Sequence, residues 1–140
     1  MIEETRFLAI DYGKKRIGLA LTDPLKIFSY PFQTINNDSS LMIQLKEIIA
    51  SKNIVKIILG YPLKESGEVT FLTKEVVDFG KMLEGKFDIE IVLWDERYSS
   101  TIAMDNIIES GTKKQKRRDK GLVDRNAAAV ILKEYLDSIK

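Results

Sequence analysis

The chain has 140 residues, 44% of them hydrophobic and 31% charged, with a net charge of +1; this is enough for one domain with a buried core and is the balance of an ordinary soluble protein. Cysteine and histidine are both absent, which excludes disulfides, Ser-His-Asp triads, Cys-His pairs and His-rich zinc sites and leaves carboxylates, lysines, hydroxyls or bound metal to carry any chemistry. No apolar run approaches the roughly 18 residues of a membrane span, and the opening MIEETRFLAI lacks the pattern of a secretory signal, so a cytoplasmic protein with no membrane partner is expected.

In chain order, Arg6 to Asp11 reads as a buried strand, and Arg16 to Thr22 follows after the short turn Tyr12 to Lys15, which contains Gly13; strands joined so closely predict a hairpin. Tyr30 to Ile35 is a third strand, and Pro31 assigns it an edge position. Asp38, Ser39 and Ser40 then offer N-cap oxygens to a helix whose Leu41, Leu45, Ile48 and Ile49 share one face. Val55 to Leu59 is a short buried strand ended by Gly60, Tyr61 and Pro62. Val69, Leu72, Val76, Phe79 and Leu83 form the apolar face of the next helix. Ile89 to Trp94 is again a strand, Ser99 to Ser110 a helix closed by Gly111, and a final helix is expected from about Val123 to Ile139. This order predicts an α/β domain with a five-stranded mixed sheet, three antiparallel N-terminal strands plus two parallel ones, flanked by helices. Such sheets bind ligands beyond the C-terminal ends of their parallel strands.

Charge is unevenly distributed. The segment Lys113 to Lys120 carries six basic residues and one acid, so the other 132 residues sum to −4 against the whole-chain +1. A basic loop on an otherwise acidic chain points to a local anion-binding surface, although a solvated charged run is an equal reading of the segment taken alone.

Three acidic positions stand out. Asp11 ends the first strand, where an aspartate equally serves a turn. Asp95 and Glu96 end the last strand, and since successive side chains point to opposite faces, spacing alone does not choose between them. Asp124 shares a helical face with Ala127, Ala128, Ile131 and Tyr135, which places a carboxylate at the start of the face that packs on the sheet; helix capping is the bland alternative. If these acids converge, they repel one another unless protonated or bridged by cations. A divalent ion removes the conflict, and carboxylate oxygens suit Mg2+ or Mn2+. Such a site activates water for an in-line phosphoryl displacement. Lys14, Lys15 and Arg16, with Lys113, Lys114, Lys116, Arg117 and Arg118, would neutralise the phosphates of a nucleic acid. Gly13 and Gly18 flank the hairpin turn, where they could let a phosphate approach the backbone, although Gly13 also fits a tight turn; Tyr61 could stack on a base, and Trp94 reads as core.

The segments AIDYGKKRIGLALTD, ILGYPLKESGEV, DERYSSTIA and DRNAAAVILKEYL together resemble the YqgF family, also called RuvX, which is related to crossover-junction resolvases. The resemblance covers nearly the whole chain. It implies a single ribonuclease H-like nuclease domain over residues 1–140, a nuclease processing the 5′ end of pre-16S ribosomal RNA in the bacterial cytoplasm, with ribosomal particles as further partners. It also implies that Asp11, Glu96 and Asp124 are the catalytic, metal-binding acids, with Asp95 the second choice. Resolvases of branched DNA place another acid one turn into the last helix; here that turn reads Arg125, Asn126, Ala127, leaving three candidate ligands. Resolution of Holliday junctions, which calls for a dimer, is the nearest rival, and a monomer or a weak homodimer is expected. A non-catalytic RNA- or ribosome-binding factor and an ATP-binding protein with an Asp-x-Gly hairpin are rivals of other classes.

Overall fold

Alternation of large aliphatic and small side chains along the strands gives the sheet two unlike faces, and each face takes a different kind of helix. The computed structural model describes residues 4–61, 70–95 and 120–139. The strands are β1 (Arg6–Tyr12), β2 (Arg16–Thr22), β3 (Ser29–Asn36), β4 (Ile54–Tyr61) and β5 (Glu90–Asp95); the helices are α1 (Leu41–Ser51), α2 (Phe71–Phe87) and α3 (Lys120–Ser138). The sheet runs β3-β2-β1-β4-β5, with β1–β2 and β2–β3 antiparallel and β1–β4 and β4–β5 parallel. This is the mixed sheet that the element order predicts. Pro31 lies on the edge strand β3, at a bulge where the register to β2 shifts, so its missing N–H costs no interior ladder bond.

One face carries Leu8, Ile10, Leu19, Ile57 and Leu59, packed against Leu41, Leu45 and Ile48 of α1 and Val76, Phe79 and Leu83 of α2. The other carries Ala9, Ala20 and Ile58, packed against Ala128, Ile131, Leu132 and Tyr135 of α3. Small residues on both sides of this second interface bring α3 close to the strands. Polar bonds fix its path: Thr34 Oγ1 donates to the Gly121 carbonyl at 2.5 Å and Ser29 Oγ to the Ala129 carbonyl at 3.0 Å. Helix α3 begins at Lys120, three residues ahead of the expected Val123, because its first turn is already held on β3 through Gly121. At the head of α1, Asp38 rather than Ser40 supplies the turn-stabilising oxygen: Asp38 Oδ1 accepts from the Ser40 N–H at 2.9 Å, while the Ser40 side chain makes no capping bond. The helix expected over residues 99–110 lies outside the described residues. Among those that are described, no helix is long and apolar enough to cross a membrane.

Close packing of α3 has a measurable consequence. Ala128 is fully buried against Ala9 and Ala20, so Ala128→Leu should lower the stability by about 1–3 kcal/mol through overpacking. Urea unfolding should show a lower midpoint with an unchanged slope.

Candidate functional site

Asp11 is the next-to-last residue of β1, at the C-terminal end of the parallel strands. Alternation assigns it to the same face as Ala9, two residues earlier, which packs under α3. Across the antiparallel β1–β2 pair its partner is Gly18. Directly opposed residues share a face and lie about 4.5–5.5 Å apart at Cα. Gly18 in turn touches α3: a Cβ built on it would stand 2.1 Å from the Asp124 carbonyl oxygen and 2.8 Å from the Arg125 nitrogen. Only a residue without a side chain fits there. One glycine thus lies between the backbone of Asp124 and the strand position of Asp11, and brings two acids from distant parts of the chain to one face of one hairpin.

Asp124 is half-buried in the first turns of α3. The helix starts four residues before it, so the capping role that an aspartate near a helix start would play does not apply. Its Oδ2 accepts from Arg16 Nε at 2.9 Å, a pair separated by 108 positions in sequence, with both side chains about a third exposed or less. Arg125 reaches across to Thr34 Oγ1 at 3.3 Å, and Asn126 Nδ2 bonds back to the Leu122 carbonyl at 2.8 Å. The helix turn carrying Asp124 is therefore tied to β2 and β3 on both sides.

The β1–β2 turn is also built tightly. A Cβ on Gly13 would meet the Arg16 carbonyl at 2.5 Å, so the turn requires glycine. Asn37 braces it twice: its Nδ2 donates to the Gly13 carbonyl at 2.8 Å and its backbone N–H to the Lys15 carbonyl at 2.9 Å. Lys14 and Lys15 project exposed from this turn at the Asp11 end of the sheet. On the opposite face Tyr12 packs on Phe79, ring centroids 4.9 Å apart. Burial pushes its hydroxyl above the ordinary phenol range; a bond from Asn37 opposes this and the Glu75 carboxylate reinforces it, so Tyr12 stays neutral.

The other candidates separate clearly. Asp95 pairs with Tyr61 at the end of the β4–β5 ladder. By alternation it faces the α1/α2 side with Ile91, whereas Val92 and Trp94 pack on the α3 side. Trp94 is less a core residue than a rim one: it is half-buried, donates from Nε1 to Glu134 Oε2 at 3.0 Å and meets Tyr135 edge-on. Glu96, Lys113, Lys114, Lys116, Arg117 and Arg118 lie outside the described residues, and so does the Tyr61 side chain. Among the described residues no group of three or more acids stands ready to hold a metal ion; of the candidates, the strand position of Asp11 and the backbone of Asp124 meet at Gly18. Sequence reasoning missed the Arg16–Asp124 pair and the part played by Gly18. The KRIG tetrapeptide held the signal, a base and a glycine on one strand face, but its partner is in another third of the chain.

A family model described as RuvX, Holliday junction resolvase, matches residues 5–138. A protein of Maridesulfovibrio salexigens named "Putative pre-16S rRNA nuclease" is 38% identical over 133 residues, covering 94% of this chain and 97% of its own. One of the same name from Prosthecochloris aestuarii is 40% identical over 133 residues, covering 94% and 93%. Among solved structures, T. thermophilus RuvC in complex with a Holliday junction substrate superimposes with a TM-score of 0.58 at 13% identity, covering 96% of each chain. At that identity the likeness establishes the fold, which is ribonuclease H-like as expected.

The Gly18 contact can be tested alone. Gly18→Ala places a methyl group against immovable backbone, so stability should fall by about 1–3 kcal/mol. NMR shift changes centred on Asp124 and Arg125 should accompany it; a wild-type unfolding curve would refute the contact.

Proposed function

The chain belongs to the RuvX family, and from that premise we propose a nuclease that hydrolyses nucleic acid phosphodiesters, processing the 5′ end of pre-16S ribosomal RNA, from a single domain. The observation that carries the reading is the meeting of Asp11 and Asp124 through Gly18. The curated relatives, matched end to end at 36–40% identity, support the substrate.

Asp11 and Asp124 would hold a divalent ion, with Glu96 as the third acid. Glu96 is the acid the family resemblance implies, and the β5 alternation counts against Asp95 by turning it to the other face. The donor set fits: it is all oxygen, and Mg2+ is commonly held by one or two carboxylates with substrate phosphates completing the shell. Such an ion, when bound, lowers the pKa of water and neutralises the oxyanions of in-line displacement. The protein's own part is to fix the acids, which the strand end, the Gly18 contact and the α3 anchors do. Lys14 and Lys15 bind the flanking phosphates, and Lys113, Lys114, Lys116, Arg117 and Arg118 would supply further cationic contacts to them.

End-labelled pre-16S leader RNA, incubated with Mn2+, Mg2+ or EDTA, tests the reading, with a four-way DNA junction beside it. RNA cleavage should require metal and fall by about 100-fold or more in Asp11→Asn and in Asp124→Asn, the scale seen when a charge-stabilising group is removed. Junction cleavage without RNA cleavage would reassign the substrate to branched DNA. Cleavage of neither, with RNA binding intact in both variants, would make the protein a binding factor. Lys14→Ala/Lys15→Ala should reduce the slope of log K against log salt by about 1.4–1.8, two phosphate contacts' worth, in filter binding.

A further inference from the structure

We propose that Arg16 is the resident counter-ion of Asp124 and that a divalent cation must compete with it for the carboxylate. The inference rests on reading Asp11 and Asp124 as metal ligands and concerns what holds that site together before metal arrives.

Arg16 opens β2, two residues from Gly18 and on the same face. Its Nε donates to Asp124 Oδ2 at 2.9 Å, so an oxygen that metal coordination would use is engaged by a guanidinium. The contrast with the other ion pair among the described residues is informative. Lys56 bonds Glu90 at 3.2 Å and also donates to Tyr135 Oη at 2.9 Å, over the Phe7 and Tyr135 rings, a packed arrangement at the far end of the strands. Arg16 instead stands at the C-terminal tip of the sheet, beside the second acid's strand position.

Mobility is divided between the partners. The Asp124 backbone cannot retreat, because it lies against Gly18 and its turn is tied to Thr34. Arg16 has a long side chain, so displacement falls to the guanidinium. A partly exposed ion pair of this kind is weak, at most about a fivefold equilibrium effect. It leaves the Asp124 carboxylate compensated in the absence of metal and still yields to a divalent ion. The same geometry makes Arg16 a positioning residue: it keeps the Asp124 carboxylate turned toward β2.

Mn2+ binding followed by the paramagnetic resonance of the free ion tests the competition without reference to cleavage. Arg16→Gln should bind Mn2+ about threefold to fivefold tighter than wild type. In an Asp124→Asn background the same substitution should give no tightening. Unchanged or weaker binding in Arg16→Gln, or equal tightening in both backgrounds, overturns the proposal. A Mn2+ affinity indifferent to Asp11→Asn and Asp124→Asn would instead overturn the metal site itself. The wild-type protein supplies a second readout that does not depend on a variant folding: the Arg16 Nε–H signal in NMR should shift and exchange faster with water as Mg2+ is added, and should not respond in Asp124→Asn. Mg2+ binding that leaves this signal unmoved in wild type refutes the competition.

Discussion

The architecture depends on one close approach, the backbone of α3 against β2 at Gly18. The Asp124 carbonyl occupies the space that any side chain on residue 18 would fill. This contact sets the height of the helix above the sheet at its first turns, and Ala9, Ala20 and Ala128 maintain it along the following turns. If residue 18 carried a side chain, the helix would rise, and with it the carboxylate it carries over the β1–β2 hairpin. The placement of the two candidate acids is thus a product of packing: their backbones approach because small residues lie between them.

The two sheet faces divide the work. The α1/α2 face is filled with leucine and isoleucine and supplies most of the large buried side chains. The α3 face buries smaller side chains and carries the acids, the Arg16–Asp124 pair and the tied turn of Thr34, Arg125 and Gly121. Alternation along single strands enforces the division. On β1, Leu8 and Ile10 serve one face while Ala9 and Asp11 serve the other; on β5 the same rule sends Asp95 away from the side on which Trp94 packs.

What could be read from sequence follows from locality. The hairpin, the edge position of Pro31 and the face shared by Ala127, Ala128, Ile131 and Tyr135 are encoded within a few residues, and each is where the pattern predicts; β4 instead runs on through Gly60 and Tyr61, which the sequence reads as its end, because both still pair with β5. The candidate acids were legible for the same reason: a carboxylate after a buried apolar run is conspicuous locally. Contacts across the chain were not. Gly18 looked like a hairpin residue with room beside it, and nothing near it announces a partner more than 100 positions away. Arg16 looked like one more base in a basic turn, and its bond to Asp124 is visible only once α3 lies over β2. The early start of α3 was hidden because Lys120 and Gly121 read as the end of a basic loop, and it is an anchor on Thr34 that coincides with helix there.

The position of Asp95 and Trp94 shows how the same tip can hold both a structural and a chemical neighbourhood. Gly60 pairs with Trp94 across β4–β5, and Ile10 pairs with Leu59 across β1–β4, so Asp11, Gly60 and Trp94 fall on one row of the sheet. The middle strand contributes glycine to that row, which leaves the ground between β1 and β5 without a side chain. On the α3 face, therefore, the space beside Asp11 is bounded by Trp94 on one side and by the Gly18–Asp124 contact on the other. The indole is held by Glu134 and Tyr135, both from α3, so one helix fixes both walls. A displacement of α3 would move the acid and the aromatic rim together, which couples the geometry of the site to the packing of a single helix.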